Sequence, residues 1–77
     1  MPYITVRMYS GRSDEQKRAM ALALGDALCE SIGCPATAVS LDIEEIDKED
    51  WPEQMGPILE SRRDKMLIKG GTERADW

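Results

Sequence analysis

The chain has 77 residues, a net charge of −5 at pH 7 and no histidine. Its length allows one small domain over residues 1–77, and its acidity argues against a nucleic-acid partner, which requires a basic face. No apolar segment approaches the roughly 20 residues that span a bilayer, and the start of the chain lacks a signal-peptide pattern, so we expect a cytoplasmic protein without a membrane partner.

The first predicted element is a strand over residues 3–9, in which Ile4, Val6 and Met8 alternate with polar or aromatic residues. A proline just before a strand has two explanations. Its missing N–H costs no ladder hydrogen bond there. Alternatively Met1 is removed, which a small second residue favours, and the secondary amine of Pro2 then becomes available as a base.

A helix is predicted from residue 14 to about residue 32, because Ser13 and Gln16 have the spacing of a capping box. Gly33 fits the end of this helix. Gly25 suggests a close approach to the sheet, and Lys17 is expected outside the apolar stripe. That predicted stripe consists of Met20, Ala23, Leu24, Ala27 and Leu28.

A second strand is predicted over residues 38–45, which makes a right-handed βαβ unit with parallel strands and an α/β fold. A second helix is predicted over residues 53–68, with an irregular first turn or a start near Pro57, and with Gly70-Gly71 at its end. Two parallel strands with one covered face do not stand alone. We therefore expect a second copy to complete a four-stranded sheet.

The size of the chain independently predicts a homo-oligomer. Chains of about 60 residues bury only about 60% of their unfolded surface. Cys29 and Cys34 are five positions apart, and without histidine they predict no zinc site. A disulfide between them needs an oxidising compartment, so two ordinary thiols are the favoured interpretation. The acidic run over residues 42–50 is interpreted as a solvated face, because it lacks the central glycine of a calcium loop.

The absence of histidine excludes the commonest general base and every Ser-His or Cys-His nucleophile pair. Arg12 precedes the predicted helix N-terminus, a position that favours anions. The pKa of a prolyl amine in an apolar pocket near cations is lowered, because the charged form is disfavoured there. Pro2 would then be a neutral base near physiological pH, and Trp51 could form an apolar wall.

The combination of Pro2 behind Met1 with the stretch GRSDEQK over residues 11–17 resembles the 4-oxalocrotonate tautomerase family. The resemblance extends collinearly over about residues 2–52. The chain length and the Trp51-Pro52 pair followed by a helix are most similar to the dimeric, phenylpyruvate-type subgroup. The resemblance implies a cofactor-independent isomerase that forms a homo-oligomer, a dimer rather than a hexamer.

The resemblance also implies roles for four residues. Pro2 corresponds to the catalytic base, Arg12 to the arginine that binds carboxylate or enolate, and Trp51 to an aromatic residue of the pocket. Ser40 stands where the family has a second arginine, so a 2-oxo monocarboxylate or its enol is the expected substrate. Three other arginines could replace that charge: Arg7, Arg62 and Arg63.

Other interpretations of the same residues are open. Pro2 could be an ordinary strand-edge proline, Arg12 a solvated or ion-paired residue, and Trp51 a packing residue. Within the superfamily, a decarboxylase or a dehalogenase could use the same proline. Outside the enzymes, the chain could be an oligomeric binding module in which Trp51 and Trp77 anchor a partner.

Overall fold

Two parallel strands and the helix between them form the body of the protein. The computed structural model describes residues 1–76. Strand β1 (Tyr3–Tyr9) pairs with strand β2 (Ser40–Ile46) over its full length, with Tyr3 opposite Ser40 and Tyr9 opposite Ile46. Helix α1 (Asp14–Ile32) and a short 3-10 turn (Ala36–Ala38) connect them. The predicted α/β architecture is confirmed, whereas the anchoring role considered for Trp77 lies outside the described residues.

Both ends of α1 have the predicted caps. The Gln16 N–H donates to Ser13 Oγ at 3.1 Å, and the Ser13 N–H donates to Gln16 Oε1 at 3.0 Å. At the other end, Gly33 has a left-handed φ of 74°, and its N–H donates to the Cys29 carbonyl oxygen at 2.9 Å. Such left-handed caps satisfy carbonyl groups that the last turn leaves without partners. The sequence therefore defines this helix by local hydrogen bonding.

The face that α1 turns towards the sheet differs from the predicted stripe. Ala23, Leu24 and Ala27 are exposed, and Lys17 lies on the inner face instead of outside it. Gly25 also makes no close approach, since a Cβ there would meet nothing within 4 Å. The half-buried positions follow the helical spacing of i, i+3, i+4 and i+8: Lys17, Met20, Ala21, Gly25, Leu28 and Cys29.

The second helix is shorter than predicted. A 3-10 turn (Lys48–Asp50) leads into helix α2 (Trp51–Arg62), which therefore begins before residue 53, contains Pro57 in its interior and is followed by a second 3-10 turn (Arg63–Lys65). The continuous helix predicted to residue 68 is wrong.

A small hairpin replaces the last part of the predicted helix. Strands β3 (Ile68–Lys69) and β4 (Thr72–Glu73) pair antiparallel. Gly70 and Gly71 form the turn, both with positive φ values of 56° and 85°. Two-residue hairpin loops favour a Gly-Gly pair because both central residues need positive φ. The helix end predicted at Gly70-Gly71 is wrong, because a glycine pair is equally a hairpin signal.

The two faces of the sheet are covered to different extents. The inner face carries Ile4, Val6 and Met8 beneath α1, and the start of α2 covers the outer face at Tyr9. Among residues 1–76, Ile46 and Met55 are the only buried hydrophobic residues, with 3% and 6% of their surface exposed. Within the same residues, neither α1 nor α2 is long and apolar enough to cross a membrane. A single chain therefore builds very little core.

Replacing Ser13 by alanine should lower the free energy of unfolding by about 1 kcal/mol, because the Gln16 N–H loses its side-chain acceptor. The matched control is Ser31→Ala. Ser31 Oγ donates back to the Ala27 carbonyl oxygen inside the helix, which does not support the helix. Urea unfolding should show a clear loss for Ser13→Ala and a change within about 0.5 kcal/mol for Ser31→Ala. Equal losses would contradict the capping role.

Candidate functional site

Pro2 and Ser40 lie together at the end of the sheet where both strands begin. Pro2 is half-buried, and its carbonyl oxygen accepts a hydrogen bond from the Ser40 N–H at 3.1 Å. The ammonium group of Met1 donates to the Ala38 carbonyl oxygen beside them. While Met1 is attached, the nitrogen of Pro2 is an amide and has no basic lone pair. Removal of Met1 would leave a secondary amine at the entrance of β1.

Arg12 lies at the opposite end of the sheet, in the connection from β1 to α1. This connection is held by Ser10, whose N–H donates to the Ile46 carbonyl oxygen at 3.0 Å and whose hydroxyl donates to Asp47. Arg12 is exposed, and among the residues described it forms no ion pair. The ion-paired alternative for Arg12 therefore finds no partner within residues 1–76, and its guanidinium can accept an anion.

Trp51 packs against Tyr9 at the same end of the sheet as Arg12. The two ring centroids are 4.9 Å apart, and the planes meet at 85°, which is the edge-to-face geometry that aromatic pairs prefer. Trp51 is half-buried and begins α2, so this contact attaches the helix to the outer face of β1. Within one chain Trp51 thus has a packing role, and its place in a substrate pocket stays a prediction.

The predicted site residues therefore form two groups rather than one. β1 separates Pro2 from Arg12, and its seven residues span about 23 Å at roughly 3.3 Å per residue. Neither arginine nor prolyl side chains can cross such a distance. One chain brings Pro2 to Ser40, and it brings Arg12 to the end occupied by Trp51, but it does not bring the two groups together.

An ion pair that the sequence analysis missed anchors the start of α1. Lys17 Nζ lies 2.7 Å from Glu45 Oε1 and 3.3 Å from Asp14 Oδ1. The hydrogen bond to Glu45, and secondarily that to Asp14, raises the pKa of Lys17. Because Glu45 is near the end of β2, this pair fixes the connection that carries Arg12. The sequence signal for this ion pair is the presence of two consecutive acidic residues in the strand, Glu44 and Glu45. Successive side chains of a strand point to opposite faces, so one of the two must face the helix.

The arginines considered as substitutes for the second family arginine differ in availability. Arg7 forms a 3.0 Å ion pair with Glu44 across the outer face of the sheet, and Arg63 pairs with Glu60 at 3.4 Å. Arg62 forms no ion pair within residues 1–76. A residue whose charge is already matched is poorly suited to binding a substrate carboxylate. Of the three, Arg62 is the one with an uncommitted charge.

The two cysteines do not form a disulfide in this structure. Cys29 and Cys34 are both free and half-buried. Burial raises the pKa of Cys29, and a hydrogen bond with the Cys34 thiol acts in the same direction. A raised pKa keeps a thiol protonated and unreactive near neutral pH. Across residues 1–76, no group of three or more histidine, cysteine or acidic side chains is arranged to hold a metal ion.

Comparison of the chain with known proteins shows which family it belongs to. Residues 2–54, from the prolyl residue to the first turn of α2, match the family model described as tautomerase enzyme. The chain belongs to the tautomerase family. It is therefore an isomerase of the tautomerase type, and the family resemblance deduced from Pro2 and the GRSDEQK stretch is confirmed.

Individual tautomerases support the assignment. A probable tautomerase of Xylella fastidiosa is 32% identical over 72 residues, which cover 92% of this chain and 88% of the relative. A 2-hydroxymuconate tautomerase of Comamonas testosteroni is 39% identical over 51 residues, covering 66% and 81% of the two chains. A solved structure of a 4-oxalocrotonate tautomerase isozyme from Methylibium petroleiphilum aligns with a TM-score of 0.63 at 34% identity, over 65% of this chain and 81% of its own.

Replacing Glu45 by glutamine should lower the pKa of Lys17, because the amide cannot stabilise the ammonium charge as the carboxylate does. Asp14→Asn is the matched control and should lower it less, since the bond to Glu45 is the larger cause. The folded-state pKa lies above the ordinary value, so this pair stabilises the fold below that value and loses its effect as the pH rises through the raised pKa. An NMR titration of Lys17 measures both variants. A larger effect of Asp14→Asn would contradict the assignment.

Proposed function

We propose that this chain is a cofactor-independent keto–enol tautomerase that acts on a 2-oxo monocarboxylate, with the amine of Pro2 as general base after removal of Met1. One observation carries the proposal. A half-buried proline occupies the second position of a tautomerase-family chain that contains no histidine. A base that works near neutral pH must therefore come from another group, and a secondary amine with a lowered pKa meets that requirement.

The surroundings of Pro2 favour the neutral amine. The residue is half-buried where β1 and β2 begin, and burial disfavours the charged form of an amine. A nearby guanidinium would act in the same direction, because like charges repel. The free amine could then take a proton from the enol hydroxyl or from the carbon beside the carbonyl and return it to the other end of the conjugated system.

Arg12 is proposed to bind the substrate carboxylate and to stabilise the negative charge that develops on the enolate oxygen. Its guanidinium has no ion-pair partner among the described residues and is carried by a loop that Ser10 and Lys17 hold in place. A cation fixed before the reaction stabilises developing charge without reorganisation during the step. Arg12 and Pro2 would thus divide the work between charge stabilisation and proton transfer.

A working site requires two copies of the chain, because one chain holds Pro2 and Arg12 about 23 Å apart along β1. We propose a homodimer in which a two-fold axis continues the sheet into four strands. A two-fold axis perpendicular to the sheet makes the edge strands of the two copies antiparallel. The Pro2 end of one copy then lies beside the Arg12 and Trp51 end of the other, which also allows Trp51 to line the shared pocket.

The residue at position 40 supports a monocarboxylate substrate. Ser40 lies beside Pro2 and contributes no charge, so one end of the proposed site is neutral. A second carboxylate would lose its hydration there without gaining a cation, which is costly in a partly buried site. A phenylpyruvate-like acid places an apolar group there instead. Two relatives are named 2-hydroxymuconate tautomerase. The dicarboxylate 2-hydroxymuconate is therefore the competing substrate to compare with a monocarboxylate.

Pro2→Ala should slow the ketonisation of enol phenylpyruvate by about 10²–10⁴-fold, because a primary alanyl amine is a poorer replacement for the general base. The protein must be verified by mass as free of Met1. Pro35→Ala is the matched control, since Pro35 is exposed in the connection after α1 and should leave the rate unchanged. The reaction is followed by ultraviolet absorbance, with 2-hydroxymuconate assayed in parallel.

Two results would contradict the proposal in different ways. A rate that Pro2→Ala leaves unchanged, or that is equal with Met1 retained, would exclude the prolyl base. A higher kcat/KM for 2-hydroxymuconate than for enol phenylpyruvate would keep the base but overturn the monocarboxylate assignment.

A further inference from the structure

Cys29 and Cys34 have no part in the proposed reaction, yet the structure holds their side chains together at the end of α1. Cys29 is in the last turn of the helix, and Cys34 is the first residue after Gly33. The left-handed φ of 74° at Gly33 turns the chain back, and the Gly33 N–H donates to the Cys29 carbonyl oxygen at 2.9 Å. The Cys34 thiol therefore lies within hydrogen-bonding reach of the Cys29 thiol.

The chain on the far side of Cys34 is also held in place. The Ala38 N–H donates to the Pro35 carbonyl oxygen at 3.0 Å, and the Val39 N–H donates to the Ala36 carbonyl oxygen at 3.3 Å. Two cysteines whose side chains point apart cannot form a disulfide without movement of the backbone. Here the helix cap and the 3-10 turn hold the two thiols next to each other, so that movement is not required.

A recess gives small molecules access to this pair. It has a volume of about 190 Å³ and lies between α1 and the 3-10 turn, where Cys29, Gly25 and Ala36 form part of its lining. Gly25 leaves it open, since a Cβ there would meet nothing within 4 Å. Both cysteines are half-buried rather than enclosed. A low-molecular-weight thiol or disulfide can therefore reach the sulfur atoms.

The surroundings of the pair do not stabilise a thiolate. Burial raises the pKa of Cys29, and the hydrogen bond with Cys34 and the charge of Asp26 act in the same direction. The last turn of α1 contains no basic residue, and the C-terminal end of a helix carries partial negative charge. Dithiols that oxidise others strongly have a stabilised reduced form. This pair has no such stabilisation, so its disulfide should form slowly and then resist reduction.

We propose that Cys29 and Cys34 form a modification site, which a low-molecular-weight disulfide such as oxidised glutathione closes to an intrachain disulfide. Because Cys29 is the sulfur held protonated, the Cys34 thiolate attacks first, forms a mixed disulfide with one sulfur of the oxidant and releases the other as a thiolate. Cys29 then loses its proton to solvent, attacks the Cys34 sulfur and expels the second thiolate. The two cysteines lose two electrons and two protons, and the oxidant becomes two thiols.

The disulfide would join the end of α1 to the connection that leads to the Pro2 end of the sheet. Beyond Cys34 along this connection, the Ala38 carbonyl oxygen accepts a hydrogen bond from the Met1 ammonium group, and the Ser40 N–H donates to the Pro2 carbonyl oxygen. Oxidation would thus fix the segment beside Pro2 without using any residue of the proposed reaction. The modification does not depend on the catalytic role of Pro2.

Incubation of the folded chain with oxidised glutathione should remove two hydrogens from most chains, measured by intact mass spectrometry, and should block both thiols against a maleimide. Dithiothreitol should restore them. Cys29→Ser should stop at the glutathione adduct of Cys34, because no second thiol is present to displace it. Cys34→Ser is the matched control and should gain its adduct more slowly, because Cys29 is held protonated.

The closed disulfide should also be compatible with the fold, so the oxidised chain should unfold at a urea concentration no lower than the reduced chain. Glutathione adducts that persist on the unmodified chain, or disulfides that join two chains, would overturn the inference. An oxidised chain that unfolds at less urea than the reduced chain would overturn it too, because the fold would then have to move to close the bond. Faster modification of Cys34→Ser than of Cys29→Ser would contradict the order of attack.

Discussion

The in-register parallel pairing of β1 with β2 is the constraint on which the rest of the structure depends. Because Tyr3 lies opposite Ser40 and Tyr9 opposite Ile46, both strands begin at one end of the sheet and finish at the other. A parallel pair also requires a crossover, which α1 supplies, and that crossover must start at the far end from Pro2. The placement of Arg12 away from Pro2 is therefore a consequence of topology.

The same constraint explains why a single chain is incomplete. Of the hydrophobic residues described, the two parallel strands and the two helices bury only Ile46 and Met55. The inner face of α1 includes the charged Lys17, which Glu45 neutralises, so even this face contributes little apolar burial. A second copy would add apolar contacts to the sheet, and it would also bring a prolyl amine to an arginine. Stability and catalysis then have the same requirement.

Local signals predicted the fold better than the site. The alternation over residues 3–9 and the Ser13–Gln16 capping box specify β1 and the start of α1, because each depends on neighbouring residues alone. The Gly70-Gly71 hairpin was missed because glycine pairs end helices and form turns equally well. The family motif indicates roles for Pro2 and Arg12, which stay predictions, but it does not indicate their separation, since that depends on the path of the chain through space.

The central claim is that Pro2 and Arg12 act together across two chains, and mixing inactive variants tests it most directly. Chains with Pro2→Ala and chains with Arg12→Ala are unfolded together, refolded as an equal mixture and assayed on enol phenylpyruvate. If the site is shared in a two-fold dimer, half of the dimers are mixed and each has one intact site, so about a quarter of the unmodified activity should return. A mixture no more active than its separate components would contradict a site shared between chains.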